Sequence, residues 1–154
     1  MAENLTNERG FTLVELLITI AIISILASYA IPLYSTFKLK AKTSEAKINI
    51  GSIRTCEESY KAENMEYRVC NASPRALSQV NTTKVDWQNN GGFNSIGFKP
   101  TGKVYYSYQV LVNDFNTNVY TIYAVGDLDG DKQFGIFQYT NTGSGIVNLA
   151  GGKY

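Results

Sequence analysis

Apolar and polar positions follow different rules in successive parts of this chain. From Leu16 to Phe37 there are 22 residues without a formal charge. As a helix they would extend roughly 33 Å, enough to cross a hydrocarbon core of about 30 Å. The ten residues before Phe11 are polar, and Glu15 is the only charge between Phe11 and Phe37. Beyond Pro32 the apolar residues keep helical spacing, with Leu39, Ala46, Ile50, Ile53 and Tyr60 on one face and Phe37, Ala41, Ser44 and Ile48 on a neighbouring one. The spacing predicts one helix that continues out of the apolar segment and ends between Tyr60 and Asn64. Pro32 lacks the N–H that would bond the Ser28 carbonyl, so a bend or break is expected near Ser28–Pro32.

The rest of the chain reads differently. Residues 63–102 are rich in Asn, Ser, Thr, Gly and Pro and read as a loop. It carries a short turn of helix at Ala76–Val80, a sharp bend at Gly91-Gly92, and Trp87, Phe93, Ile96 and Phe98 to pin it to a core. Aromatic and β-branched residues then dominate 104–112, 119–125 and 133–139, separated by Asn113–Asn118 and Gly126–Lys132, with a short edge strand at 145–149. The pattern predicts an α+β fold in which a long N-terminal helix packs on an antiparallel sheet of three to four strands. The expected organisation is a leader at 1–10, an apolar half-helix at 11–34, an amphipathic half-helix at 35–62, the loop at 63–102 and the sheet head at 103–154.

A secretory signal would place a small-residue cleavage site after its apolar run. Here the small residue, Gly10, precedes the run. Arg9-Gly10-Phe11-Thr12-Leu13-Val14-Glu15-Leu16-Leu17, then an unbroken apolar helix with a proline at Pro32, resembles the type IV pilins and the related pseudopilins. The close resemblance covers about Glu8 to Lys38, and the remainder matches only in plan. It implies that prepilin peptidase cuts between Gly10 and Phe11, that Phe11 becomes an N-methylated amino terminus, and that Glu15 is a carboxylate used with the Phe11 amine in assembly. An unpaired carboxylate in hydrocarbon is costly, so Glu15 either snorkels to the interface or awaits that amine.

Composition narrows the chemistry. The formal net charge is +1; losing Met1–Gly10 removes Glu3, Glu8 and Arg9, a net −1, and leaves +2 on side chains. No strong field invites nucleic acid. With no His and two Cys in 154 residues, most catalytic and metal-site repertoires are absent, and the chain does not read as an enzyme. Eleven Tyr and seven Phe suit a sheet that packs against copies of itself, and equally a small sheet domain. Cys56 and Cys70 form an even pair in an apparently exported chain and read as a disulfide, with two buried thiols as the alternative. Many pilins place their disulfide nearer the C terminus, so adhesive roles tied to that loop do not carry over. Asp127, Asp129 and Asp131 alternate as Ca2+ ligands can, but Lys132 and Gln138 stand where an EF-hand needs Gly and Glu. An Asp-Gly turn closing a hairpin is the favoured reading.

By resemblance the chain is a structural subunit that forms a homopolymer after processing by prepilin peptidase and the filament assembly machinery. It would pass from the inner membrane to an extracellular filament. The alternatives are a type II secretion pseudopilin or minor pilin and, in another class, a membrane-anchored binding module that never polymerises. One feature conflicts: by the positive-inside rule Lys38, Lys40 and Lys42 outweigh Arg9 and would place the head in the cytoplasm.

Overall fold

One helix, α1, runs from Leu13 to Asn64, inside the predicted bounds. The computed structural model describes residues 10–114 and 118–149. Residues 1–9 of the expected leader, the middle of the Asn113–Asn118 connection and the last residues of the head lie outside the described residues. Helix α1 ends where Met65 takes a left-handed φ of 64° and donates its N–H to the Lys61 carbonyl at 2.8 Å, a terminus expected of a residue just past the last turn. The Asn64 side chain adds a bond to the Tyr60 carbonyl at 3.0 Å.

The chain divides into two compact units between Phe37 and Lys38. In the first, no described residue is buried. The helix continues through Pro32. A single proline removes one bond of the ladder, and the turns on either side remain closed. Four hydroxyls of this unit bond to their own helix: Thr19 to the carbonyls of Glu15 and Leu16, Ser24 to Ile20, Ser28 to Ile25 and Thr36 to Pro32. Each hydroxyl is thereby satisfied without water.

The second unit is an antiparallel sheet of five strands in the order β1-β2-β3-β4-β5: β1 Cys70–Ser73, β2 Ser107–Asp114, β3 Val119–Gly126, β4 Gly135–Thr140 and β5 Ile146–Asn148. One strand more than expected is present, because β1 lies inside the predicted loop. Its polar sequence Cys-Asn-Ala-Ser carries no strand signal; it is a strand because it pairs with the free edge of β2, Cys70 opposite Val110 and Ser73 opposite Tyr108. The short helical turn predicted at Ala76–Val80 is a 3-10 turn at Leu77–Gln79.

Strand register places one apolar row on the inner face. Tyr108 lies opposite Ala124, Val110 opposite Ile122, Ile122 opposite Tyr139 and Ala124 opposite Phe137, and all are buried. Against them stand Ala46, Ile50 and Ile53 of α1, all fully buried, at the spacing of one helical face. Only the first of the two rows read from the sequence is the core face; Ile48 of the other is 67% exposed. Phe93, Ile96 and Phe98 close the core from the loop, and Trp87 meets the rings of Phe93 and Phe98 edge-on at 5.2 and 5.5 Å. Gly92 (φ 92°) makes this possible: a Cβ there would lie 2.5 Å from the Val69 carbonyl oxygen and 2.9 Å from Cys70 Sγ, so only glycine lets the loop lie on β1.

Candidate functional site

The N-terminal end of α1 is built by Thr12 and Glu15. The Glu15 N–H donates to Thr12 Oγ1 at 3.2 Å, and the Thr12 N–H donates to Glu15 Oε2 at 2.9 Å. This is a reciprocal capping box, with Thr12 as N-cap and Glu15 three residues on. The Thr12 hydroxyl also donates to Glu15 Oε2 at 2.7 Å. Glu15 therefore has partners within its own chain, supplied by the residue next to Phe11, and this role went unread in the sequence although the Thr-x-x-Glu spacing is visible there. Gly10 and Phe11 precede the cap and are exposed, Phe11 by 71%.

From Phe11 to Phe37, 16 large apolar or aromatic side chains are exposed, and α1 is long and apolar enough to cross a membrane. At about 1.5–3 kcal/mol for each large side chain removed from water, the surface would gain tens of kcal/mol from burial. A surface of this kind is stable only in lipid or against other helices.

In the second unit the two cysteines are free thiols, so the expected Cys56–Cys70 disulfide is not formed. Cys56 and Glu57 are about 100° apart around the helix, and it is Glu57 that faces Cys70. Cys56 instead lines a cleft of about 540 Å³ with Asn49, Ser52 and Phe98. Cys70 Sγ approaches Glu57 Oε1 at 3.7 Å, and the Arg68 N–H donates to Glu57 Oε2 at 3.0 Å. Glu57 is fully buried. Burial, above all, raises its carboxyl to about 7, and burial beside Glu57 pushes the Cys70 thiol up. A thiol held protonated is a donor and not a nucleophile. The sequence reading passed over Glu57, although it continues the buried row four residues after Ile53.

Four further hydrogen bonds tie α1 to the sheet and to the residues that lead into β2. The N–H groups of Tyr105 and Tyr106 donate to Glu45 Oε1 at 2.7 and 3.3 Å. Asn49 donates to the Tyr108 hydroxyl at 2.8 Å, and the Tyr120 hydroxyl donates to Glu58 at 3.0 Å.

Asp127, Asp129 and Asp131 are brought together, with one carboxylate oxygen of each within 4.8 Å of the others. Asp127 is buried and the other two are exposed. Asp127 accepts the Gly130 N–H and Asp131 the Gln133 N–H, both at 2.7 Å. Gly130 and Lys132 have φ of 81° and 64°. These are the bonds of a tight connection between β3 and β4.

Comparisons with known proteins bear on the N-terminal motif first. Residues 5–31 match the model of the prokaryotic N-terminal methylation motif. The chain is 48% identical over 61 residues to the type IV major pilin protein PilA of Myxococcus xanthus, covering 40% of this chain and 28% of that one. It is 47% identical over 56 residues to the fimbrial protein EcpB of Eikenella corrodens, 36% of this chain and 35% of the other. A longer alignment, 29% identical over 128 residues, covers 81% of this chain and 85% of the type II secretion system core protein G of Escherichia coli. The chain thus spans well under half the length of the pilins it matches. No solved structure matches it. A methylation motif at the head of a 52-residue helix, an exposed apolar surface behind it and an antiparallel sheet packed on the helix's second half stand beside these likenesses: the chain is similar to type IV pilins over its N-terminal region and to a type II secretion core protein over most of its length.

Proposed function

We propose that this chain is the precursor of a structural subunit which, after removal of residues 1–10 and N-methylation of Phe11, polymerises into a type IV pilus. The observation that carries the reading is the bare apolar surface from Phe11 through the first part of α1 to Phe37, which membrane lipid covers before assembly and other copies of the helix cover afterwards. Glu15 is the assembly carboxylate. In the precursor it is occupied by Thr12; in the filament its partner is the amine of Phe11 on a neighbouring subunit. A charge left buried without its partner costs several kcal/mol, so a subunit out of register is rejected. Pro32 marks the segment of α1 that yields most readily on assembly.

The test is the intact mass and amino-terminal residue of protein sheared from the cell surface. Filaments made of chains that begin at methylated Phe11 support the proposal. Protein that stays wholly in the inner membrane would instead indicate an anchored module.

The alignment with protein G, the longer of those described, favours a second reading as a type II secretion pseudopilin. On that reading Asp127, Asp129 and Asp131 hold Ca2+; on the first they belong to the β3–β4 turn, which the bonds of Asp127 and Asp131 to the Gly130 and Gln133 N–H groups support.

A further inference from the structure

On the proposed function, Lys38, Lys40 and Lys42 stand on the outer side of the apolar segment, where the positive-inside rule does not expect them. Lys38, Ala41, Lys42 and Glu45 share one face of α1, and with Lys84 and Tyr105 they line an open cleft of about 410 Å³. Lys42 Nζ lies 4.6 Å and Lys84 Nζ 4.8 Å from the centroid of the same Tyr105 ring. The cleft's one carboxylate is already engaged: Glu45 Oε1 takes the N–H groups of Tyr105 and Tyr106, and Oε2 is 3.8 Å from Lys84. Three cations thus face one anion, and among the described residues Lys38 and Lys42 form no ion pair.

Two ammonium groups drawn to one ring, with too little carboxylate to neutralise them, want an oxyanion. Along the chain the cleft begins at once after the uncharged run. In sequence Lys38 follows that run directly and Lys42 comes four residues later, where a chain leaving a bilayer meets its headgroup layer. Lysines and tyrosine are the side chains suited to that layer.

We propose that this cleft binds the phosphate of an anionic membrane lipid. This rests on the reading of residues 11–34 as a membrane segment. The lipid seats the head at a defined depth in the outer leaflet of the inner membrane, which explains why the lysines are there, and it must be released when the subunit enters a filament.

The test uses the full-length precursor in a zwitterionic detergent, offered phosphatidylglycerol and phosphatidylcholine of matched chains, with bound lipid counted by native mass spectrometry. The expected result is preferential retention of phosphatidylglycerol. The K42Q/K84Q double variant should bind it about thirtyfold more weakly, equivalent to about 2 kcal/mol at roughly 1 kcal/mol per lysine. K99Q/K103Q, with the same loss of charge outside this cleft, should retain the preference. Equal retention of both lipids by the wild type, or equal losses in both double variants, would overturn the proposal. Displacement of phosphatidylglycerol by inorganic phosphate would identify a free-phosphate site and overturn it too. Resistance of the chain to alkaline extraction from membranes is measured alongside. Extraction as a soluble protein sinks the membrane reading itself, whereas an integral chain with no lipid preference sinks only the cleft.

Discussion

Glu57 offers the most exacting test of the fold. Its carboxyl stands at about 7 against an ordinary value of 4.5, because the buried site, more than any neighbour, disfavours the charged form. A fold that binds a proton more tightly than the unfolded chain is stabilised at low pH. The contribution is present in full below 4.5, is lost as pH rises, and is gone above about 7. At 1.36 kcal/mol per tenfold in acidity, the loss is about 3 kcal/mol, a large part of a domain's stability. Glu57→Gln keeps an oxygen for the Arg68 N–H and removes the titration. Unfolding of the full-length protein by denaturant in detergent can be followed through Trp87, the one tryptophan, which packs on Phe93 and Phe98. To isolate Glu57, the quantity to compare is the wild-type curve minus that of Glu57→Gln. It should fall by about 3 kcal/mol between pH 4.5 and about 7 and then level. A difference that is flat, or that rises with pH, would refute the argument that burial dominates this group.

Gly92→Ala should cost about 3 kcal/mol or more, read by the same emission, since its Cβ would strike the backbone of Val69 and Cys70. Gly97→Ala, also at positive φ but facing open space, should cost only about 1–2 kcal/mol; equal costs would mean that the contact with β1 is unimportant. Gly10→Val should leave an uncleaved, membrane-bound precursor on an immunoblot and no filaments, and normal filaments from it would remove the cleavage assignment. Glu15→Ala should be inserted and cleaved yet fail to assemble by itself, and Glu15→Asp should assemble poorly; abundant filaments of normal symmetry from the Ala variant would show that Glu15 does not set register. Calorimetry with millimolar Ca2+ should give no heat if Asp127–Lys132 is a turn alone, and heat that disappears in Asp129→Asn would favour the pseudopilin reading.

Local regularities reached the surface of the sequence wherever neighbours in the chain are also neighbours in space. The uncharged run to Phe37, the Leu39–Ala46–Ile50–Ile53 row, the end of α1 near Asn64 and the three main strands are of that kind, because helical and strand periodicity are properties of a few consecutive residues. The N-terminal methylation motif is as local, and so is the Thr12–Glu15 cap, which was there to be read. What only the tertiary structure decided depends on pairing across the chain. The strand Cys70–Ser73 exists because β2 offers an unpaired edge. The cysteines stay apart because the helix turns Glu57, and not Cys56, toward Cys70. Lys42 and Lys84, 42 positions apart in sequence, meet only because the loop returns Tyr105 to the face of α1 that Lys42 occupies. Periodicity tells a residue which face it belongs to; only the packed fold tells that face what it meets.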